Sequence, residues 1–188
     1  MENYFMHTEN EEKKYTVEDI MALPDGKRAE LIDGQMFMMA SPSITHQRIL
    51  ADLSFEVQSY IKRKGGKCEV FFAPFALFPD ETGRNYFEPD MAIQCTQDII
   101  DNKGLHGAPD VLFEIVSPSS KYMDYMWKLN IYERIGVREY WIIDPLTSHV
   151  TVYRFEKKTV DHYSFTEDIP VGIYEDLVLN LKDIEILD

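Results

Sequence analysis

Hydrophobic residues along the chain follow two spacings, one typical of helices and the other typical of strands. Apolar residues three and four positions apart form one stripe over 43–66, which predicts the longest helix, with a glycine stop. Shorter helices are predicted over 16–23, where Thr16 can act as N-cap, and over 119–136, which Gly136 closes. The helical pattern therefore covers three separate segments of the chain.

Strands are predicted wherever short apolar runs lie between turn residues. These segments are 68–74, 75–79, 88–95, 110–117, 138–144, 149–155 and 159–165, and the last two are predicted to pair as a hairpin. A second hairpin is predicted over 29–40, because Asp33-Gly34 is a strong two-residue turn between apolar runs. The order strand, helix, strand over 110–144 predicts a right-handed crossover between two parallel strands.

The mixture of elements predicts an α/β fold with a mixed sheet. No linker rich in Pro, Gly or Ser divides the 188 residues, so we expect one domain over 15–188, preceded by a mobile tail over 1–14. No apolar run reaches the roughly 18 residues that a membrane helix needs, and the N-terminus lacks the pattern of a secretory signal. Cys68 and Cys95 stand alone without metal-type spacing, which fits a reducing cytoplasm.

The net charge of −14 argues against a broad nucleic-acid-binding surface, which is normally basic. The densest basic cluster is "KRKGGK", residues 62–67. It could contact phosphate, but a solvated helix end is the favoured interpretation.

One acid interrupts a strand that otherwise suits the core. Glu114 lies in the middle of "DVLFEIVS", where a carboxylate without a partner would cost several kcal/mol. Asp90 of "EPDMAI" has the same kind of position, although by itself it could pair with a basic residue near a strand end. If the two strands are neighbours, the carboxylates converge and repel each other unless a cation lies between them. Mg²⁺ suits such a pair, with Mn²⁺ as the alternative.

Lys128 is the third candidate. The helix over 119–136 folds back over the strand before it, and Lys128 lies roughly two to three turns into that helix. It can therefore reach over Asp90 and Glu114. Two acids and a lysine around a metal form a hydrolytic arrangement, because the metal lowers the pKa of a bound water while the ammonium orients that water or stabilises negative charge.

Five motifs stand out along residues 15 to 155: "AELIDGQM", "SPSITHQRI", "EPDMAI", "FEIVSPSS" and "DYMWKLNIYERIGVREYWIIDP". In these motifs the sequence resembles the Uma2 family, also called DUF820 and described as a restriction-endonuclease family, within the PD-(D/E)XK nuclease superfamily. The resemblance implies a restriction-endonuclease-like core of four mixed strands flanked by helices, to which the predicted extra β-hairpins would be added.

The resemblance also implies roles for individual residues. Asp90 and Glu114 match the metal ligands of the superfamily. The superfamily lysine normally stands two residues after the Glu, where this chain has Val116, and Lys128 is the natural replacement on the next helix. Glu30 and His46 match further polar positions of the family and could face the same site.

Each of these residues also has a structural interpretation. Glu114 and Lys128 could form an ion pair without a metal, and Lys128 with Asp124 could be an ordinary surface pair one helical turn apart. His46 could be a satisfied polar residue near a helix start, and Glu30 could hydrogen-bond backbone near the hairpin. These alternatives remain open at the level of the sequence.

The function predicted from these residues is that of a Mg²⁺-dependent endonuclease that hydrolyses phosphodiester bonds in DNA. One alternative is a catalytically silent nuclease-fold module for binding or assembly, and another is a hydrolase of a smaller phosphate ester. A homodimer is predicted through exposed apolar residues of the C-terminal hairpin, 149–165. No membrane partner is expected.

Overall fold

The computed structural model of the protein describes residues 13–118 and 120–187. Most of the tail predicted over 1–14, and Ser119 as one of two candidate helix caps, therefore lie outside the described residues. The helices are α1 (Val17–Met21), α2 (Ile44–Lys64) and α3 (Leu129–Ile135), and a π-helical turn, Met123–Lys128, leads directly into α3. The strands are β1 (Ala29–Ile32), β2 (Gln35–Met38), β3 (Glu69–Phe72), β4 (Leu77–Phe78), β5 (Met91–Gln94), β6 (Ile100–Asp101), β7 (Gly104–His106), β8 (Val111–Ile115), β9 (Glu139–Asp144), β10 (His149–Arg154), β11 (Thr159–Ser164), β12 (Ile169–Pro170) and β13 (Val178–Leu179).

A six-stranded mixed sheet forms the centre of the molecule, in the order β11-β10-β9-β8-β5-β3. β8 and β9 run parallel on either side of the crossover through α3, and the other neighbours run antiparallel. The predicted fold class and the predicted parallel pairing of the two strands are confirmed. The hairpin β10–β11 extends a mixed core of four strands, β9-β8-β5-β3. Four short strands (β6, β7, β12 and β13) were not predicted, because two or three residues carry no readable period.

Side chains of the central strands alternate between two apolar layers. On one face, Met91 and Phe113 pack with the buried stripe of α2, including Ile49, Leu53 and Val57. On the other face, Ala92 and Leu112 pack with Tyr132 of α3 and with β9. Because side chains alternate along a strand, the acids at 90 and 114 belong to this second, α3-facing side of the sheet.

The turn and cap residues explain why the predicted elements end where they do. Asp33 and Gly34 both have positive φ (48° and 82°), as a two-residue hairpin turn of the type favoured by Asp-Gly requires. Ser43 accepts a hydrogen bond from the backbone N–H of His46 and so caps α2. Gly136, at φ 97°, ends α3 in the left-handed region and turns the chain toward β9.

The interpretation of the cysteines as isolated residues is wrong, because Cys68 and Cys95 form a disulfide. Glu69 of β3 lies opposite Gln94 of β5, so the cysteines occupy the next rung of the same ladder. A separation of 27 residues in sequence hides this proximity. No helix in the described part of the chain is long and apolar enough to cross a membrane.

Loss of this disulfide should lower stability measurably. A bridge that closes a loop of this length contributes about 3 kcal/mol, because it restricts the unfolded chain. We expect Cys95→Ser to lower the free energy of unfolding in urea by about that amount. Dithiothreitol should destabilise the wild type and leave the double variant Cys68→Ser/Cys95→Ser unchanged. Alkylation of both cysteines in native, unreduced protein would contradict the assignment.

The apolar residues of the C-terminal hairpin do not form the exposed surface that the dimer prediction assumed. Val150 and Val152 are fully buried and Phe165 is 5% exposed, since all three pack in the core layer of α2. Val160 is half-exposed. The prediction that these residues are exposed is therefore wrong for most of them. The homodimer stays a prediction without this support.

Candidate active site

The register of β5 and β8 brings the two predicted metal ligands together. The paired part of β5 and β8 ends with Met91 opposite Phe113, and the next residues are Asp90 and Glu114, whose carboxyl groups interact electrostatically. Opposed residues of an antiparallel pair point to the same face with Cβ atoms about 5 Å apart. The Oδ2 atom of Asp90 also accepts a hydrogen bond from the backbone N–H of Ile115, at 2.7 Å. The expectation that the two strands are neighbours is confirmed, and both carboxylates lie at one end of the strand pair.

Lys128 points into this region and is surrounded by carboxylates. Its Nζ lies 2.9 Å from Glu30 Oε2, 3.0 Å from Glu114 Oε1 and 3.2 Å from Asp124 Oδ1. The four residues are between 1% and 4% exposed. The interpretation of Lys128 and Asp124 as a surface pair is therefore wrong. Spacing of four residues on a helix looks the same whether the helix face meets water or the core.

The π-helical turn and the start of α3 supply three polar side chains to the same cluster. Asp124, Lys128 and Tyr132 follow one another at intervals of four residues. The hydroxyl of Tyr132 donates to Glu114 Oε1 at 3.0 Å, and the hydroxyl of Tyr140 donates to the backbone carbonyl of Asp124. π-Helical turns are rare and occur frequently at functional sites. Sequence reasoning missed Tyr132, although its position one step beyond Lys128 in the four-residue series could have indicated it.

The charges in this cluster do not balance. Burial strongly raises the pKa of Glu114, and neighbouring Asp124, Asp90 and Glu30 raise it further while Lys128 opposes them. Burial also raises the pKa of Glu30. For Lys128, burial by itself would lower the pKa, but its carboxylate neighbours outweigh burial and raise that pKa well above the usual value. The ammonium form of Lys128 is therefore favoured, and three carboxyl groups share this one cation.

Glu30 combines two roles that the sequence left as alternatives. Its Oε1 atom accepts a hydrogen bond from the backbone N–H of Glu88, and its Oε2 atom pairs with Lys128. The side chain extends from β1, whose residues are all buried. Glu30 thus ties the β1–β2 hairpin to the segment that leads into β5, and it faces the predicted site.

His46 contacts Asp90 and not the lysine cluster. Its Nε2 atom lies 2.9 Å from Asp90 Oδ1, and each side chain is 14% exposed. The Nδ1 atom is buried and has no hydrogen-bond partner within the described residues. Immediately before it, the hydroxyl of Thr45 accepts a hydrogen bond from the backbone N–H of Leu187, 142 residues away in sequence. His46 and Ile115 together fix the orientation of the Asp90 carboxylate.

The donor atoms at Asp90 and Glu114 fit a hard divalent cation. Glu114 Oε2 makes no hydrogen bond within the described residues, whereas Oε1 accepts from both Lys128 and Tyr132. Within residues 13–118 and 120–187, no group of three or more His, Cys, Asp or Glu side chains is arranged to hold a metal ion. Mg²⁺ commonly binds through one or two carboxylates with waters and substrate phosphates, and does not need such a cage. The pair fits Mg²⁺ in that mode.

A mixed sheet with acids on adjacent strands and a lysine on the flanking helix defines a protein of the restriction-endonuclease-like fold. A solved structure with this fold, described as a "putative nuclease belonging to DUF820" from Anabaena variabilis ATCC 29413, superposes with a TM-score of 0.73 and 22% sequence identity. The match covers 90% of this chain and 96% of that one. The family model named Uma2, "Putative restriction endonuclease", matches residues 17–181. The chain belongs to the Uma2 family. None of the curated proteins matches it.

Proposed function

We propose that the protein is a Mg²⁺-dependent endonuclease that hydrolyses phosphodiester bonds in DNA. The observation that supports this proposal most is the strand pairing that brings Asp90 beside Glu114, next to a buried ammonium. The description of the family as restriction endonucleases supports nuclease activity and favours DNA as the substrate. Three buried carboxyl groups share one ammonium, and a cation beside Glu114 would favour its ionised form.

Asp90 and Glu114 would hold the metal, which when bound lowers the pKa of a water and neutralises charge on the phosphate. The protein's own contribution is to orient these ligands. His46 and the backbone N–H of Ile115 each engage one oxygen of Asp90. Lys128 and Tyr132 engage one oxygen of Glu114 and leave Oε2 without a hydrogen bond within the described residues.

Lys128 would act as a positioning residue in the place of the usual superfamily lysine. Val116, which stands at the usual lysine position, is 4% exposed and packs in the apolar layer of α3. Lys128 reaches Glu114 from the helical segment that packs on this same face of the sheet. Because three carboxylates surround its ammonium, its role is to keep Glu114 ionised and correctly oriented.

Cleavage of supercoiled plasmid tests this function directly. We expect nicked or linear product in Mg²⁺ or Mn²⁺ and none in EDTA. Hydrolysis of bis(p-nitrophenyl) phosphate without plasmid cleavage would favour a hydrolase of smaller esters. Metal binding without hydrolysis of either compound would favour the silent module.

Two further expectations belong to this proposal. We propose a cytoplasmic location. The Cys68–Cys95 disulfide removes the argument from isolated cysteines, since disulfides are rare in the cytosol. We also propose a homodimer, which would let two sites address two strands. Light scattering coupled to gel filtration tests the second expectation, and a monomer at working concentration would remove it.

A further inference from the structure

An open pocket lined by polar and charged side chains lies at the β1–β2 turn, outside the carboxylate cluster. Its volume is about 690 Å³, within the range of small-molecule sites. Three cationic side chains line it: Lys14, Arg84 and Arg134. They stand against two carboxylates, Asp33 and Asp80, in a molecule whose net charge is −14. The pocket is thus a local excess of positive charge on an acidic protein.

Asp80 offsets part of this positive charge, but its hydrogen bonds go to neutral groups. Its carboxylate accepts from the backbone and hydroxyl of Thr82 and from the amide of Asn85. Partial burial alone would raise the pKa of Asp80, but these hydrogen bonds and the nearby Arg134 outweigh it and hold the pKa below its usual value. Arg134 Nη2 remains 3.9 Å away, and its side chain is 61% exposed. The donors of Arg134 are therefore available to a ligand.

Arg84 is held in place by its backbone, and Lys14 is held by its ammonium group. The carbonyl of Arg84 accepts from the N–H of Gly34, and the guanidinium has no ion pair or hydrogen bond within the part of the chain that the structure describes. Lys14 Nζ donates to the carbonyl of Asp33 at 3.1 Å. Asn85, which is 2% exposed, accepts from the N–H of Asp33 and so joins the turn to the Asp80 loop. The walls of the pocket are therefore preorganised.

The pocket lies close to the candidate active site. Asp33 is three residues beyond Glu30, which corresponds to roughly 10 Å along an extended chain. Arg134 is six residues beyond Lys128, which corresponds to about 9 Å along a helix. Duplex DNA carries about one phosphate per 3.4 Å on each strand, so this distance covers about three phosphates. By contrast, Lys64 of the basic cluster 62–67 is about 27 Å along α2 from His46.

We propose that this pocket is a subsite for the phosphate backbone of the nucleic-acid substrate, an inference that rests on the proposed function. Arg84, Arg134 and Lys14 bind a phosphate away from the scissile bond. The carboxylate of Asp33 lines the same pocket and accepts a hydrogen bond from a base N–H of that nucleotide. Contact with substrate is thereby confined to one basic pocket, so that the acidic remainder of the surface does not have to bind DNA.

The double variant Arg84→Ala/Arg134→Ala tests this inference in binding experiments. Affinity for a fluorescent 12-nucleotide DNA is measured in EDTA over a range of salt concentrations. We expect at least about a tenfold loss and a decrease of roughly one in the slope of log K against log salt, because the contact with one phosphate is removed. The matched control Lys62→Ala/Arg63→Ala removes the same charge at the far end of α2 and should leave the slope unchanged.

Two further measurements separate this inference from the proposed function. Equal loss in both double variants, or affinity for a 5′-mononucleotide equal to that for the oligonucleotide, would overturn the subsite. Hydrolysis of bis(p-nitrophenyl) phosphate needs no remote contact and should be unaffected by Arg84→Ala/Arg134→Ala. Absence of hydrolysis in the wild type would refute the proposed function, while loss of DNA binding in the arginine variant would still support the pocket.

Discussion

Asp90→Asn should reduce Mg²⁺-dependent DNA cleavage by at least about 10³-fold, or roughly 4 kcal/mol of transition-state stabilisation. Asparagine keeps the size of the side chain and can still accept the hydrogen bond from the N–H of Ile115. It loses the negative charge that a metal ligand needs. Initial rates of plasmid nicking at saturating Mg²⁺ measure the effect, and thermal unfolding shows whether the fold is retained.

Asp25→Asn provides the matched control for this substitution. Asp25 is exposed in the turn after α1, so the same chemical change should leave cleavage and stability nearly unaltered. Cleavage by Asp90→Asn at the wild-type rate, still dependent on Mg²⁺, would mean that the metal is held elsewhere. The role of Asp90 would then be structural.

Lys128→Met should lower the free energy of unfolding by about 3 to 5 kcal/mol, the usual cost of removing one partner from a buried ion pair. The substitution leaves Glu30, Glu114 and Asp124 buried together without their ammonium. Urea unfolding at neutral pH measures the change. Lys103→Met, at an exposed position in the loop between β6 and β7, is the control and should cost less than about 0.5 kcal/mol.

A second substitution separates electrostatics from packing in this cluster. Glu30→Gln removes one of the uncompensated charges, so the double variant Lys128→Met/Glu30→Gln should be more stable than Lys128→Met alone. Such coupling is expected between residues in direct contact. If Lys128→Met costs no more than Lys103→Met, the ammonium is dispensable for the fold. Asp124→Asn, at a buried position, should also be destabilising and not neutral as a surface pair would be.

The sequence was sufficient for those parts of the site that depend on the local spacing of apolar and polar residues. Alternation along "DVLFEIVS" and "EPDMAI" indicated which residues share a face, and β5 and β8 prove to be neighbours. The sequence was not sufficient where strand register or burial determines which residues come into contact. The rung that joins Cys68 to Cys95 follows from strand pairing, which the local pattern does not specify. Tyr132 enters the cluster because its helix face is buried, and a four-residue spacing alone does not distinguish a buried face from a solvated one.

The contact between Leu187 and the start of α2 has a practical consequence for how the protein is produced. The hydroxyl of Thr45 accepts a hydrogen bond from the N–H of Leu187. Arg48 donates to the carbonyl of Glu185 and forms an ion pair with its carboxylate. The last described residues therefore contact α2 on either side of His46. An affinity tag or a fusion partner attached after these residues would perturb the first turn of α2, which carries His46 and so orients Asp90. Preparations tagged at the other end of the chain are therefore the appropriate material for activity assays.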